Sequence, residues 1–304
     1  MFAILVKALS FVLIIAAGYG LKKVGLFCAT DYRIVMKIIM HLTLPAVIIT
    51  SFDDFSMDPS LMGIILLGLC ANLFMAGVGY FMARKMDGID KAFNILNYSG
   101  FNIGCFTMPY VQSFMGSFGV IVTGMFDAGN SIMSTGGTYA VAAQFAGKGK
   151  NRSPKYFFYR LFSSIPFDAY MLMLIMAFAG LRFPDFVYDI TGTFGSANTF
   201  LSMLLIGLIF EFHLDHKKIK RVLTNVGLRF TCATALALVS FFLLPFSEEV
   251  RHVLVIVSFS PIPCMAPVFT EKLGGDVSVA GVINSISICI SILVVTTLVV
   301  IWHI

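Results

Sequence analysis

Charge is what this sequence has least of. Only 12% of its 304 residues are Asp, Glu, Lys or Arg, about half the ~25% typical of soluble domains. Mean hydropathy is +0.91. A water-exposed surface cannot be assembled from so few charges, which excludes an ordinary soluble enzyme. Catalytic signatures are missing too: there is no HExxH or G-x-S-x-G arrangement, and no glycine-rich phosphate loop follows a strand. The six cysteines lack metal spacing and five of them lie inside apolar stretches, which argues against a disulfide framework and a zinc site. His213 and His216 beside Glu211 and Asp215 are the densest ligand-type cluster. With no further ligands nearby, a solvated helix end is the expected reading. No metal and no cofactor are expected.

What is present is apolar length. A membrane-spanning helix needs about 20 apolar residues, and charges and turn residues cut the chain into ten such segments. They cover residues 2–22, 32–52, 59–83, 92–115, 118–145, 157–181, 186–212, 219–246, 250–273 and 277–302. The first has no basic leader or small-residue cleavage site, and is expected to be a retained span. The fold expected is all-α and polytopic. Residues 1–146 form one five-helix half, 147–156 a basic linker and 157–304 the second half.

The net charge of +5 does not point to nucleic acid, because the basic residues occupy short connections. The odd-numbered connections carry sixteen Lys and Arg; the even-numbered ones carry two, Arg182 and Arg251, among a majority of acidic residues. By the positive-inside rule the odd connections are cytoplasmic and both termini face outward. Five spans on either side of a linker give two halves of opposite orientation, a plan common in secondary transporters. The fourth and ninth segments echo one another. MPYVQSFMG sets Pro109 seven residues before Gly116, APVFTEKLG sets Pro267 seven before Gly274, and the prolines lie 158 residues apart.

Proline within a span removes an amide donor and clashes with the carbonyl four residues back. NIGCFTMP (102–109) and SPIPCMAP (260–267) therefore predict two broken helices, with Thr107 and Ser260 as N-caps of the second halves. Half-helix N-termini carry unpaired N–H groups and about half a positive charge; two meeting at mid-membrane would receive a carboxylate, with Asn102 as a further donor. The alternative is that the prolines merely kink packed helices. Asp127 with Asn130 is the candidate for binding a coupling H+ or Na+; its alternative is an ion pair with Arg229. Asp168 is expected deep in the sixth span, in a structural or cavity role. Lys7 is expected to snorkel at the outer face, and Lys37 and His41 to lie at the inner vestibule or interface.

Several stretches carry a family resemblance. GYGLKKVGLF (18–27) and LTLPAVIITSF (42–52) resemble the start of the auxin efflux carrier family, whose bacterial members include malate permeases and other organic-acid carriers. FNIGCFTMPYVQSFMG (101–116) resembles its Asn-containing, glycine-rich run, departing at Phe101 and Met108; APVFTEKLGGD (266–276) resembles its late Pro…Gly-Gly-Asp region. The resemblance implies an inverted five-plus-five transporter. Its fourth and ninth helices cross at the substrate site, helices 1, 2, 6 and 7 form a scaffold, and the rest move as an elevator. It implies a homodimer and a small organic anion as substrate, without enzymatic activity.

The expected site comprises Asn102, Thr107, Pro109, Ser260, Pro263 and Pro267, with His41, Thr43 and Pro45 from the second span. The expected location is the inner (plasma) membrane. Rival readings are a cation/proton exchanger on the same scaffold and a membrane sensor that transports nothing.

Overall fold

The structure is a computed structural model. It describes residues 2–302 except 29, 54, 56, 57, 149–158, 160 and 212–217. Most of the expected linker and the His213/Asp215/His216 cluster lie outside the described residues. Among those described there are helices and turns and no strand.

The N-terminal half contains α1 (Phe2–Lys23), α2 (Tyr32–Ile38), α3 (Leu44–Ser51), α4 (Gly63–Met82), α5 (Gly88–Tyr98), α6 (Met108–Ile132) and α7 (Thr138–Phe145). Then come α8 (Ile165–Phe178), α9 (Asp185–Ser196), α10 (Asn198–Ile209), α11 (Ile219–Phe242), α12 (Glu248–Ser258), α13 (Ala266–Lys272) and α14 (Val277–Trp302). Among the described residues, seven helical stretches are long and apolar enough to cross a membrane. Large apolar side chains such as Phe2, Leu66, Ile175, Phe242 and Leu293 point outward. That surface fits a membrane-embedded protein, since water would penalise so much exposed hydrocarbon.

Caps set the ends. Asp58 accepts from Ser60 N–H (2.9 Å) with Pro59 following, and Asp87 accepts from Asp90 N–H (2.7 Å) at the start of α5. Each is a short acceptor meeting an amide that has no helical partner. Close crossings are made by glycine. A Cβ on Gly129 would lie 1.9 Å from the Ile65 carbonyl oxygen, and one on Gly68 2.2 Å from that of Phe126, so α4 and α6 touch backbone to backbone. Gly18 and Gly207 do the same between α1 and α10. Helices in lipid gain their affinity from such close packing rather than from hydrophobic exclusion.

Charge pairs sort by end of the bundle. Lys22–Glu211, Lys218–Asp276 and Arg221–Asp90 join residues in or beside odd-numbered connections. Arg182 pairs with Asp53 at 2.7 Å, joining two even-numbered connections. Even-side polar ties continue with Lys7, which donates to the Ser113 carbonyl and lies over the Phe114 ring, so it closes a helix end rather than only snorkelling. Asp276 sits in the last odd connection. Burial pushes its carboxyl up, but the Lys218 ammonium at 2.5 Å and the Val279 N–H outweigh this and hold it below the usual value.

Three short π-helical turns interrupt the helices, at Ile39–Thr43, Ile103–Thr107 and Met133–Gly137. Two share a cause. Pro45 and Pro109 each follow a π turn by two residues, and the proline ring would strike the carbonyl four positions back in a regular helix. Widening the turn relieves the clash: Leu44 N–H reaches Ile39 O and Met108 N–H reaches Ile103 O, each five residues back. Pro109 is thus absorbed within a helical run and does not mark the break, contrary to the sequence expectation. The break lies upstream, at residues 99–102, where Gly100 has φ +81°. A second interruption follows at Gly116, φ +65° and ψ −158°, dividing α6 into 108–115 and 117–132.

Candidate functional site

The two broken segments meet. Between α5 and the π turn the chain is non-helical at 99–102, and between α12 and α13 residues 259–265 are non-helical. Gly100 faces Pro263, whose ring a Cβ would hit at 2.5 Å. Asn102 N–H donates to the Pro261 carbonyl at 2.9 Å, bonding one break to the other. Thr107 and Ser260 also meet, hydroxyl to hydroxyl at 2.5 Å. Neither caps a helix as expected: Thr107 lies inside the helical run and Ser260 ends six residues before α13. Both are buried and join the breaks from behind.

Broken backbone in an apolar medium must find partners within the protein. Four side chains supply most of them. Asn130 clasps the Phe101 peptide on both sides, its Nδ2–H donating to Phe101 O (3.0 Å) and its Oδ1 accepting from Phe101 N–H (3.2 Å). Its Nδ2 also donates to Asp127 Oδ1 (2.7 Å), and its Oδ1 accepts from Asn72 (2.9 Å). At the second break Asn284 donates to Ile262 O (2.8 Å) and Pro263 O (3.3 Å), while Ser287 accepts from Ile262 N–H (3.2 Å). Arg229 serves both breaks at once. Only 1% exposed, it donates to Tyr98 O (2.6 Å) and Ser260 O (3.1 Å) and stacks over Phe101 at 4.7 Å. A cation belongs at such carbonyl-rich helix ends. The expected alternative of an Asp127–Arg229 ion pair is not formed: the guanidinium is occupied by backbone, and Asp127 accepts from Asn130.

A cavity of about 340 Å³ opens beside the crossing. Asn102, Asp127, Asn130 and Pro263 line it, together with Phe101, Ile103, Gly104, Cys105, Cys264 and Met265. Hydroxyls come from Ser131, Ser134, Thr135, Ser163 and Ser164, and all three π turns reach its wall through Met40, Gly104 and Ser134, in keeping with the frequency of π turns at functional sites. Its mouth includes the exposed Ser163 and Lys272. Asp168 is not deep in a span; it sits in the first turn of α8, where an acid complements the helix dipole.

Other expected site residues fall elsewhere. Pro267 lines a second cavity of about 300 Å³ that shares only Cys264 with the first. Pro109 is buried outside both. His41 is exposed and bonds its Nδ1 to Lys37 O (2.9 Å), because the π turn carries it to the outer face while Met40 and Leu44 take the cavity side. Thr43 turns the other way and donates to Asn198 (2.9 Å), and Pro45 is buried in α3. The second-span contribution expected of His41, Thr43 and Pro45 is therefore made by Met36, Met40 and Leu44.

Electrostatically, the anion-receptive element is the helical run 103–115. The first-turn amides of a helix have no intrahelical acceptor, and Gly104 and Cys105 bring that turn to the cavity. The second half-helix contributes less than its sequence suggests, since α13 has seven residues and Pro267 removes one of its first-turn donors. Sequence reasoning missed Arg229 as the shared clasp and Asn284 as the partner of the second break. A signal for the latter was present: N-S-I occurs at 130–132 and again at 284–286, a spacing of 154 residues. No family model matches the chain, and no curated protein matches it.

Proposed function

We propose that the chain is a secondary active transporter of auxin-efflux-carrier type, moving a small organic anion such as a carboxylate across the inner (plasma) membrane. On this reading the ten apolar segments are ten spans, arranged as two inverted five-span repeats, and the cavity is the substrate site facing the basic, cytoplasmic end. The observation that carries it is the contact between two broken segments beside a cavity of mixed polar and apolar lining within an apolar bundle. Broken backbone is tolerated there only where it is bound by protein or lines a water-filled space; here it is bound by side chains and lies beside a cavity. The repeated N-S-I asparagines, each holding the break of its own half, support the inverted repeat. So does the pairing of odd connections with odd and even with even.

The cavity volume is at the small end of ligand sites, which suits an anion of a few carbon atoms. Gly104 and Cys105 amides and the Asn102 side chain receive the carboxylate; Asp127 accepts the coupling H+ or Na+, its charge left unneutralised by Arg229. Alternating access then requires the crossing to shift past the scaffold of α1–α3 and α8–α10.

The test is uptake of radiolabelled mono- and dicarboxylates by proteoliposomes. Saturable uptake that falls at least tenfold in Asn102→Ala supports the reading, and unchanged uptake in that variant removes Asn102 from the site. Asp127, hydrogen-bonded to Asn130 but not ion-paired with Arg229, favours one second reading, a cation/proton exchanger. Ion flux without any organic solute, abolished by Asp127→Asn, would establish that instead.

A further inference from the structure

The cavity at the crossing holds a chemistry that a carboxylate does not use. Two thiols, Cys105 from the first broken segment and Cys264 from the second, line the same wall. Their side chains interact with one another directly. Asn102 Nδ2–H donates to Cys264 Sγ at 3.1 Å, so that sulfur is already held as an acceptor, the role a thiolate plays. Three thioethers, Met36, Met40 and Met265, line the same cavity. Five sulfur side chains from three separate parts of the chain thus converge on one space that opens at the exposed Ser163 and Lys272.

Donor type selects the ion. Among the described residues no group of three His, Cys, Asp or Glu comes together, so the four-ligand set that zinc requires is missing. Thiolate and thioether sulfur favour soft d10 ions, Cu(I) first among biological metals, and two facing thiolates complete the linear coordination such ions accept.

We infer that Cys105 and Cys264 form a binding site for a soft monovalent metal cation, Cu(I) or its analogue Ag(I), with Met265 and its neighbouring thioethers as auxiliary donors. Binding replaces two S–H bonds by two metal–sulfur bonds. The two protons leave through the open cavity to water, the metal keeps its oxidation state, and the product is a bis-thiolate of net charge −1. Because the two sulfurs belong to the two broken segments, the ion bridges the crossing. The site shares its cavity with the proposed substrate site, but it does not rest on that reading and needs no organic substrate.

The experiment uses the full chain in detergent with a reductant present and Ag(I) as the redox-silent probe. In a background with Cys28, Cys70, Cys232 and Cys289 replaced by Ser, competition against a chromophoric chelator should give one Ag(I) per chain. Cys105→Ser and Cys264→Ser should each weaken binding at least a hundredfold, and Cys264→Met should restore part of it. Affinity unchanged from the parent in either Ser variant, or no binding in the parent, overturns the proposal. The unmutated protein supplies a measurement independent of folding in the variants. Ag(I) should protect Cys105 and Cys264 from alkylation, read by peptide mass spectrometry, and undiminished labelling of both would also overturn it. X-ray absorption of the Cu(I) form should show a shell of sulfur only; a shell of nitrogen or oxygen rejects the assignment.

Discussion

At the scale of single residues, buried backbone carbonyls and amides left by the breaks decide which side chains matter most. Asn130 satisfies both polar atoms of the Phe101 peptide; truncation orphans them, at about 1–3 kcal/mol for each buried group. Asn130→Ala should therefore destabilise the fold by about 2–6 kcal/mol in all, read as a lower thermal midpoint in detergent, and Asn284→Ala should do so to a similar degree. Arg229→Lys is the sharper comparison. An ammonium is a single point donor where the guanidinium is a fork, so it cannot serve Tyr98 O and Ser260 O together, and the variant should lose stability although charge is kept. Asp276 gives a pH prediction with a definite sign. Its carboxyl titrates below the ordinary value in the folded chain, so its contribution is present above the unfolded value near 4 and is lost as pH falls through the folded one. The pair with Lys218 is partly exposed, which limits the effect to about 1 kcal/mol. Asp276→Asn should flatten the decline of the melting temperature below about pH 4 and change little at pH 7.

At the scale of elements, the apolar segments were legible because composition alone marks them. Nine of the ten expected segments begin and end within about four residues of a helix end or of the kink at Gly116, and the interruption at SPIPCMAP follows from three prolines that no continuous helix admits. The first break was less legible. Pro109 drew attention to itself, whereas the actual opening is at Gly100, whose positive φ is invisible in a sequence rich in glycine. The π turns were hidden for a related reason, although T-L-P at 43–45 and T-M-P at 107–109 carry the cue. One registration error propagates: a π turn adds a residue to the helical screw, so His41 leaves the cavity and Met40 enters it. This yields a test. Pro109→Ala removes the ring clash and lets residues 103–107 relax toward an ordinary helix, rotating Gly104 and Cys105 away from the cavity. Helix content by circular dichroism should be retained while uptake falls at least tenfold.

At the scale of the whole molecule, both cavities reach the end where the odd, basic connections gather. If that end is cytoplasmic, a membrane-impermeant maleimide should label the exposed Cys28 in inside-out vesicles and leave it unmodified in sealed right-side-out ones. The reverse pattern would invert the orientation argued from charge. The opposite end carries a different device. Trp302, the single tryptophan, stacks on His252 at 4.1 Å, with Phe241 5.9 Å from the same imidazole. All indole emission from this protein therefore originates at one spot, where the ends of α11 and α14 meet the start of α12. A stacked imidazolium quenches indole light and a neutral imidazole does so far less, so acidifying that face should dim the fluorescence, and His252→Phe should keep it bright.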